Sequence, residues 1–233
     1  MKTRVAMWAF LVSLALNFLW IGGALDWRLP LAVLVGWYLA DFMSGLIHMY
    51  MDYIPCTPGV GLADLYFYEG SRESEHYITL RDTVWGRINP FEKIAYDFKN
   101  HHPRPDALGR RDLVFLVQAT VVFASLPFSL ALNLACFLWR PPGWLVLGVI
   151  VFLIGATLSQ YFHGSLHRER NPAIVTVLRR LGLLLTPAAH AVHHATLTRD
   201  FSVVNGWSNP LLNIVFRLLL RRGVLTPAGL EPT

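Results

Sequence analysis

The chain has 233 residues, 54% hydrophobic and only 15% charged, where soluble proteins carry roughly a quarter charged residues. Its net charge is +5, yet the 20 Lys and Arg form no stripe on a soluble face, which argues against a nucleic-acid-binding protein and an ordinary water-soluble domain. The two cysteines, Cys56 and Cys136, form no CxxC pair, so neither a disulfide framework nor a thiolate metal site is expected.

Four stretches are long enough to cross a hydrocarbon core, which takes about 20 apolar residues. The first, Val5–Leu25, follows Lys2 and Arg4. It outlasts the apolar segment of a secretion signal and no small-residue cleavage motif follows it, so it reads as a span. The second is Leu29–Tyr50, the third Leu113–Leu138 and the fourth Gly143–Phe162. The loop between the second and third, about Asp52–Asp112, is too long for a simple connector and holds a helix-like piece, Pro90–Asn100. Near the C-terminus, Asn171-Pro172 and Asn209-Pro210 each place an N-cap residue before proline at the first helical position. The helices they start, about Pro172–Leu185 and Pro210–Arg222, are apolar with arginines to one side and are expected to lie in the membrane interface. The predicted fold is therefore an all-α membrane protein of four transmembrane helices with interfacial helices.

The basic residues orient it. With the N-terminus inside, the inner side holds Lys2, Arg4, eight Lys/Arg between Arg72 and Arg111, and eight Arg between Arg168 and Arg222. The outer loops hold only Arg28 and Arg140. Such an imbalance is the positive-inside pattern, so the net charge reads as a topology signal. Cys56 then lies inside and Cys136 outside, unable to pair.

On this topology eight of the nine histidines fall at one membrane face. His48 ends the second span, and His101 and His102 precede the third. His163 and His167 end the fourth, and His190, His193 and His194 follow; His76 stands apart. His163 and His167 are four residues apart and share a helical face, as do His190, His193 and His194. His101 and His102 are adjacent and diverge on a helix, serving either two ions or one ion from a helix end frayed by Pro103. Asp41, His48 and Asp52 form one stripe of the second span. Asp41 sits inside an apolar segment where ionisable groups are costly, and either Asp41 or Asp52 is a candidate to orient a ligand imidazole through its second N–H. Aromatic residues near span ends, such as Trp20, Trp37, Trp139 and Trp144, read as belt residues. Eight imidazoles exceed a mononuclear shell, and an even division gives two ions. Open imidazole-rich sites suit iron and oxygen chemistry, with zinc and copper compatible by residue type.

Four blocks then carry a resemblance. Asp41-Phe-Met-Ser-Gly-Leu-Ile-His48 with Asp52, Phe98-Lys-Asn-His101-His102, Gln160-Tyr-Phe-His163 with His167, and His190-x-x-His193-His194 followed by Gly206-Trp207-Ser208-Asn209 resemble, in order, the motifs of the plasmanylethanolamine desaturases. Relatives of this lipid desaturase family include a chloroplast desaturase of phosphatidylglycerol acyl chains. The chain departs from the family at Ser159, often Asn, and Ser165, often Trp, which leaves the histidines intact.

The resemblance implies a single lipid desaturase domain over 1–233, with an anchor region 1–40 and a catalytic region 41–216. It implies a non-haem di-iron enzyme with the eight clustered histidines as ligands. O2 would be co-substrate, a phospholipid the substrate, and a cytochrome b5 or ferredoxin-type protein the electron donor docking on the basic inner face. The name-giving reaction makes the vinyl ether of a plasmalogen. A fatty-acyl desaturase, a hydroxylase of the same di-iron type and a non-catalytic metal-binding membrane protein are the alternatives. Lys99, Arg104, Arg110, Arg111, Arg168 and Arg170 lie near enough in sequence to hold a lipid phosphate.

Overall fold

The computed structural model describes residues 2–23 and 26–232 and contains no strand among the described residues. Helix α1 spans Lys2–Leu19 and α2 spans Arg28–Tyr53. Four short helices follow: α3 (Leu62–Tyr66), α4 (Glu75–Trp85), α5 (Pro90–His101) and α6 (Pro105–Gly109). Next, α7 (Leu113–Thr120) runs through a π-helical turn, Val121–Ser125, into α8 (Leu126–Trp139). Helix α9 spans Gly143–Leu166, α10 Ala173–Arg180, α11 Pro187–Thr196 and α12 Asn209–Arg221, before a 3₁₀ turn at Pro227–Leu230.

Among the described residues, three helices are long and apolar enough to cross a membrane: Arg28–Tyr53, Leu113–Trp139 and Gly143–Leu166. The first expected span is shorter than anticipated. Helix α1 stops at Leu19 and Gly22 takes φ +74°, a left-handed conformation that favours a stop; the expected end at Leu25 lies outside the described residues.

The bundle centres on α2 and α9, which run parallel in direct contact. A Cβ on Gly36 would stand 2.3 Å from the Gly148 carbonyl oxygen, and one on Gly155 would stand 2.6 Å from the Ala40 Cβ. Small residues let helices approach this closely in an apolar bundle, where packing rather than water exclusion holds them. Residues 40 and 155 meet; eight residues further along each helix, the rings of His48 and His163 meet at 4.7 Å. The parallel register thus delivers two histidines from distant sequence to one point.

Buried hydroxyls and amides tie the other long helices in. Ser13 and Asn17 of α1 bond the Ser129 hydroxyl of α8 at 2.8 and 2.6 Å. At the π turn, Ser125 meets Thr157 of α9 at 2.7 Å. Pro127 follows this turn and supplies no N–H, so the ladder of α7 cannot pass unchanged into α8.

Outside the bundle, α5 begins as expected at Pro90, with a capping box between Asn89 and Glu92. It packs over a small core of Cys56, Leu62, Leu65, Tyr77, Val84 and Tyr96. A further core of Met49, Tyr53, Phe201, Leu212, Phe216 and Leu225 holds α12 against the end of α2. Cys56 and Cys136 are both free, as expected.

Two expected caps are corrected. Asn171 donates its amide to the Ser165 carbonyl, so α10 starts at Ala173 with Pro172 as its N-cap and no side-chain cap. Asn209 is already helical and its Oδ1 accepts from the Ser202 N–H, while the N-cap residue Ser208 gives its hydroxyl to Asp41. Helix α10 also ends at Arg180 rather than Leu185, because Gly182 takes φ +69°.

Since the Gly36 contact is with backbone, no side chain can yield. Gly36→Leu is expected to cost about 1–3 kcal/mol through overpacking. Thermal unfolding of the purified protein in detergent reads this, with Gly23→Ala, which meets nothing within 4 Å, unchanged.

Candidate metal centre

All eight clustered histidines converge where α2, α5, α9 and α11 meet. His48 and Asp52 lie in the last turns of α2, His101 ends α5 and His102 caps it. His163 lies near the end of α9 with His167 as its cap, and His190, His193 and His194 lie on α11. Their ligand atoms form two groups, each with all atoms within 4.8 Å of one another. One holds His101, His163, His167, His190 and His194; the other holds His48, Asp52, His102 and His193. Ligands about 2.0–2.2 Å from a shared ion lie no further apart than about 4.4 Å, so each group is close to the size of one coordination shell.

The adjacent pair His101 and His102 therefore divides between the groups. So does α11, with His190 and His194 facing one group and His193 the other. Aspartate 52 lies within the second group rather than behind it. Its Oδ2 stands 3.4, 3.5 and 3.3 Å from Nε2 of His48, His102 and His193.

The protonation pattern fits cation binding. Backbone carbonyls accept only, so a ring nitrogen facing one must carry the proton. The Phe201 carbonyl is 2.9 Å from His48 Nδ1, the Arg199 carbonyl is 2.9 Å from His193 Nδ1, and the Phe98 carbonyl contacts His101 Nδ1. Each of these rings presents a bare Nε2 to the centre. His48 Nε2, His101 Nε2, His167 Nε2 and both Asp52 oxygens are buried without a hydrogen-bond partner. His163 and His190, and His190 and His194, bring Nε2 atoms within 3.1 Å of each other. The bare Nε2 atoms of His48 and His193 beside the Asp52 carboxylate put acceptors against acceptors in a dry interior, which a cation among them would relieve.

Burial also keeps the imidazoles in the neutral form that binds metal. Burial first, then neighbouring imidazoles, push His102 down to about 2 and His167 and His194 down to about 4. His101 and His190 are held well below the ordinary histidine value by the same causes.

Asp41 does not reach the histidines. Its carboxylate accepts the N–H groups of Asn205, Gly206 and Ser208 at 2.7, 3.1 and 2.9 Å and the Ser208 hydroxyl at 2.6 Å. It fixes the end of the loop 197–208, in which the Phe201 carbonyl orients His48. Leu197 and Asp200 in this loop take φ +56° and +61°, a costly conformation for non-glycine residues, and the Tyr53 hydroxyl holds the Leu197 carbonyl at 2.8 Å. His76 is exposed and bonds the Tyr68 hydroxyl at 2.9 Å, apart from the cluster.

Residue typing alone missed two roles. Lys99 is fully buried and donates to the Met51 and Asp52 carbonyls at 2.9 and 2.8 Å, so it docks α5 onto the C-terminal end of α2. Burial lowers the pKa of its ammonium group. Asp52 follows His48 by four residues, the same spacing as His163 and His167, and that signal was available in the sequence.

The two groups predict two ions per chain. Elemental analysis of His193→Ala and of His190→Ala is expected to find about one ion lost from each. Asp41→Asn strands buried N–H donors and is expected to lower stability by about 1–3 kcal/mol in thermal unfolding.

Comparison with known proteins follows the same residues. The lipid desaturase domain profile matches residues 84–232, which include seven of the eight clustered histidines, His48 lying ahead of them. A plasmanylethanolamine desaturase from Myxococcus xanthus is 29% identical over 88% of this chain and 64% of its own length. A chloroplastic fatty acid desaturase 4 from Arabidopsis thaliana is 31% identical over 49% of this chain and 35% of its own. The chain thus spans less than two thirds of the length of these curated relatives. No solved structure matches it. With more than half its length matched by the profile, the chain belongs to the lipid desaturase domain family.

Proposed function

We propose that the chain is an O2-dependent lipid desaturase that converts a plasmanyl phospholipid into its vinyl ether plasmalogen. The observation that carries this reading is the pair of adjoining ligand groups, one of five histidines and one of three histidines and Asp52, at the end of an apolar bundle. The eight histidines and Asp52 would hold two iron ions, which when bound supply the oxidising power for C–H cleavage. Overall, O2, two electrons and two protons take two hydrogens from adjacent carbons, leaving one double bond and two waters.

The chain's own residues provide the surroundings. The carbonyls of Phe201, Arg199 and Phe98 fix the tautomers of His48, His193 and His101. Asp52 contributes the one negative charge among the ligands. A cavity of about 610 Å³, lined by residues including Met43, Ser44, Ile47 and Gln160, reaches within one turn of His48 and His163. It adjoins a second of about 520 Å³ that shares Met43, Phe128 and Phe152. These apolar spaces suit the hydrocarbon chain of a lipid. On this reading the chain crosses the membrane four times, with the N-terminus and the centre on the cytoplasmic side, in the inner membrane if the source is bacterial. A cytochrome b5 or ferredoxin-type donor delivers electrons at the basic inner face.

A plasmalogen-free host expressing the chain under air provides the test. Lipid mass spectrometry is expected to find new acid-labile vinyl ether lipids, absent when His193→Ala is expressed and inserted at the same level. A new acyl double bond would replace the ether substrate with an acyl chain, and a hydroxylated lipid would replace desaturation with hydroxylation. Unchanged lipids from a metal-loaded chain supplied with a reductase system would overturn the enzymatic reading, as would full conversion by His193→Ala.

A further inference from the structure

Arg72 and Arg104 converge on the same two acceptors. Arg72 donates to Asn100 Oδ1 and to the Tyr66 carbonyl, both at 3.3 Å; Arg104 donates to the same atoms at 2.9 and 2.8 Å. The shared acceptors put donor nitrogens of the two guanidinium groups within about 6 Å of each other. Arg72 also donates to the Leu65 carbonyl at 2.7 Å and the Tyr77 hydroxyl at 3.0 Å. Neither arginine has a carboxylate within ion-pair distance among the described residues, whereas Arg28, Arg81, Arg110 and Arg199 each have one. Carbonyls satisfy N–H groups but bring no negative charge, so two half-buried cations repel each other here.

A second observation points to the same spot. The Tyr96 hydroxyl is buried beside Arg72, Arg104 and Tyr77; the Arg72 guanidinium faces its oxygen, and its O–H hydrogen has no acceptor. Burial raises its pKa, which keeps the phenol protonated as a donor. Arg104 spends two of its five N–H groups on the acceptors just named, which leaves donors free. Uncompensated positive charge from both guanidinium groups, the free donors of Arg104 and the unaccepted O–H of Tyr96 are the chemistry that recognises phosphate.

The place also adjoins the histidine centre. Asn100 immediately precedes His101, and Arg104 follows His102 by two residues. The Tyr66 ring, 5.8 Å from the Arg104 guanidinium, lines with His102 a cavity of about 300 Å³ whose far wall is Pro227, Ala228, Leu230 and Glu231. Arg168 is engaged by the Gly109 and Arg111 carbonyls and Lys99 by the end of α2, while the exposed Arg110 lies 3.9 Å from Asp106.

We propose that Arg72, Arg104 and Tyr96 bind a phosphate ester, the phosphodiester of the lipid that the neighbouring histidine centre oxidises. The assignment of the ligand to a lipid rests on the desaturase reading; the anion site itself does not.

The metal-loaded protein in nanodiscs tests both parts. Arg104→Gln is expected to raise the KM for an alkyl-acyl glycerophospholipid about tenfold, with kcat and metal content unchanged. Conversion of the matching alkyl-acyl glycerol, which has no phosphate, should not change. Tyr96→Phe, which keeps the ring and removes the hydroxyl, should raise the phospholipid KM several-fold in the same selective way, and it stands in if Arg104→Gln loses metal. Equal losses on both lipids, or an unchanged phospholipid KM, would overturn the proposal. Independently of turnover, ³¹P line broadening of inorganic phosphate should appear with wild type and be lost in Arg104→Gln. If that binding is seen but is not competitive with the phospholipid, the ligand is free phosphate and the head-group assignment fails. If wild type broadens the ³¹P line but oxidises no lipid, the desaturase reading fails while the anion site stands.

Discussion

The close parallel contact of α2 and α9 is the constraint on which the histidine centre depends. Gly36, Ala40, Gly148 and Gly155 remove the side chains that would hold the helices apart, and their register carries His48 to His163. Both helices end at the same level, so Asp52 and His167 arrive with them. Helices α5 and α11 then need only close over one end of an existing pair. A larger residue at the crossing would act at a distance, because the metal-facing atoms tolerate displacements of only tenths of an ångström.

Backbone, rather than side chains, sets the proton positions of the centre. The loop after α11 turns its Arg199 and Phe201 carbonyls onto His193 and His48, and its left-handed residues Leu197 and Asp200 make that turn possible. Asp41 secures the next stretch of the same loop from within α2. A carboxylate buried at mid-bundle is thereby balanced by four donors rather than by a cation, which reconciles its cost with its position.

Much of this was legible in the residues themselves. Apolar length located α2, α7–α8 and α9, and the helix-like piece Pro90–Asn100 anticipated α5. Histidine spacing identified the members of the centre, since four-residue spacing and shared helix faces are local properties. Their division between two groups was not legible. It depends on the rotation of α11 about its axis and on the path of the chain at His102, which tertiary packing decides. The tautomers depend on carbonyls, which every residue possesses and no sequence pattern distinguishes. The expected caps at Asn171 and Asn209 failed for a similar reason: tertiary partners claimed both amides. The lone guanidinium pair was hidden because Arg72 and Arg104 are separated by two helices and only the fold brings them to Asn100.

The separation between His48 and His194 has a consequence for biogenesis. Each ligand group needs α11, which the ribosome makes after about four fifths of the chain has been synthesised. Neither ligand group is complete until α11 has packed against the ends of α2, α5 and α9. On the proposed reading, metal uptake therefore waits for the last fifth of the chain.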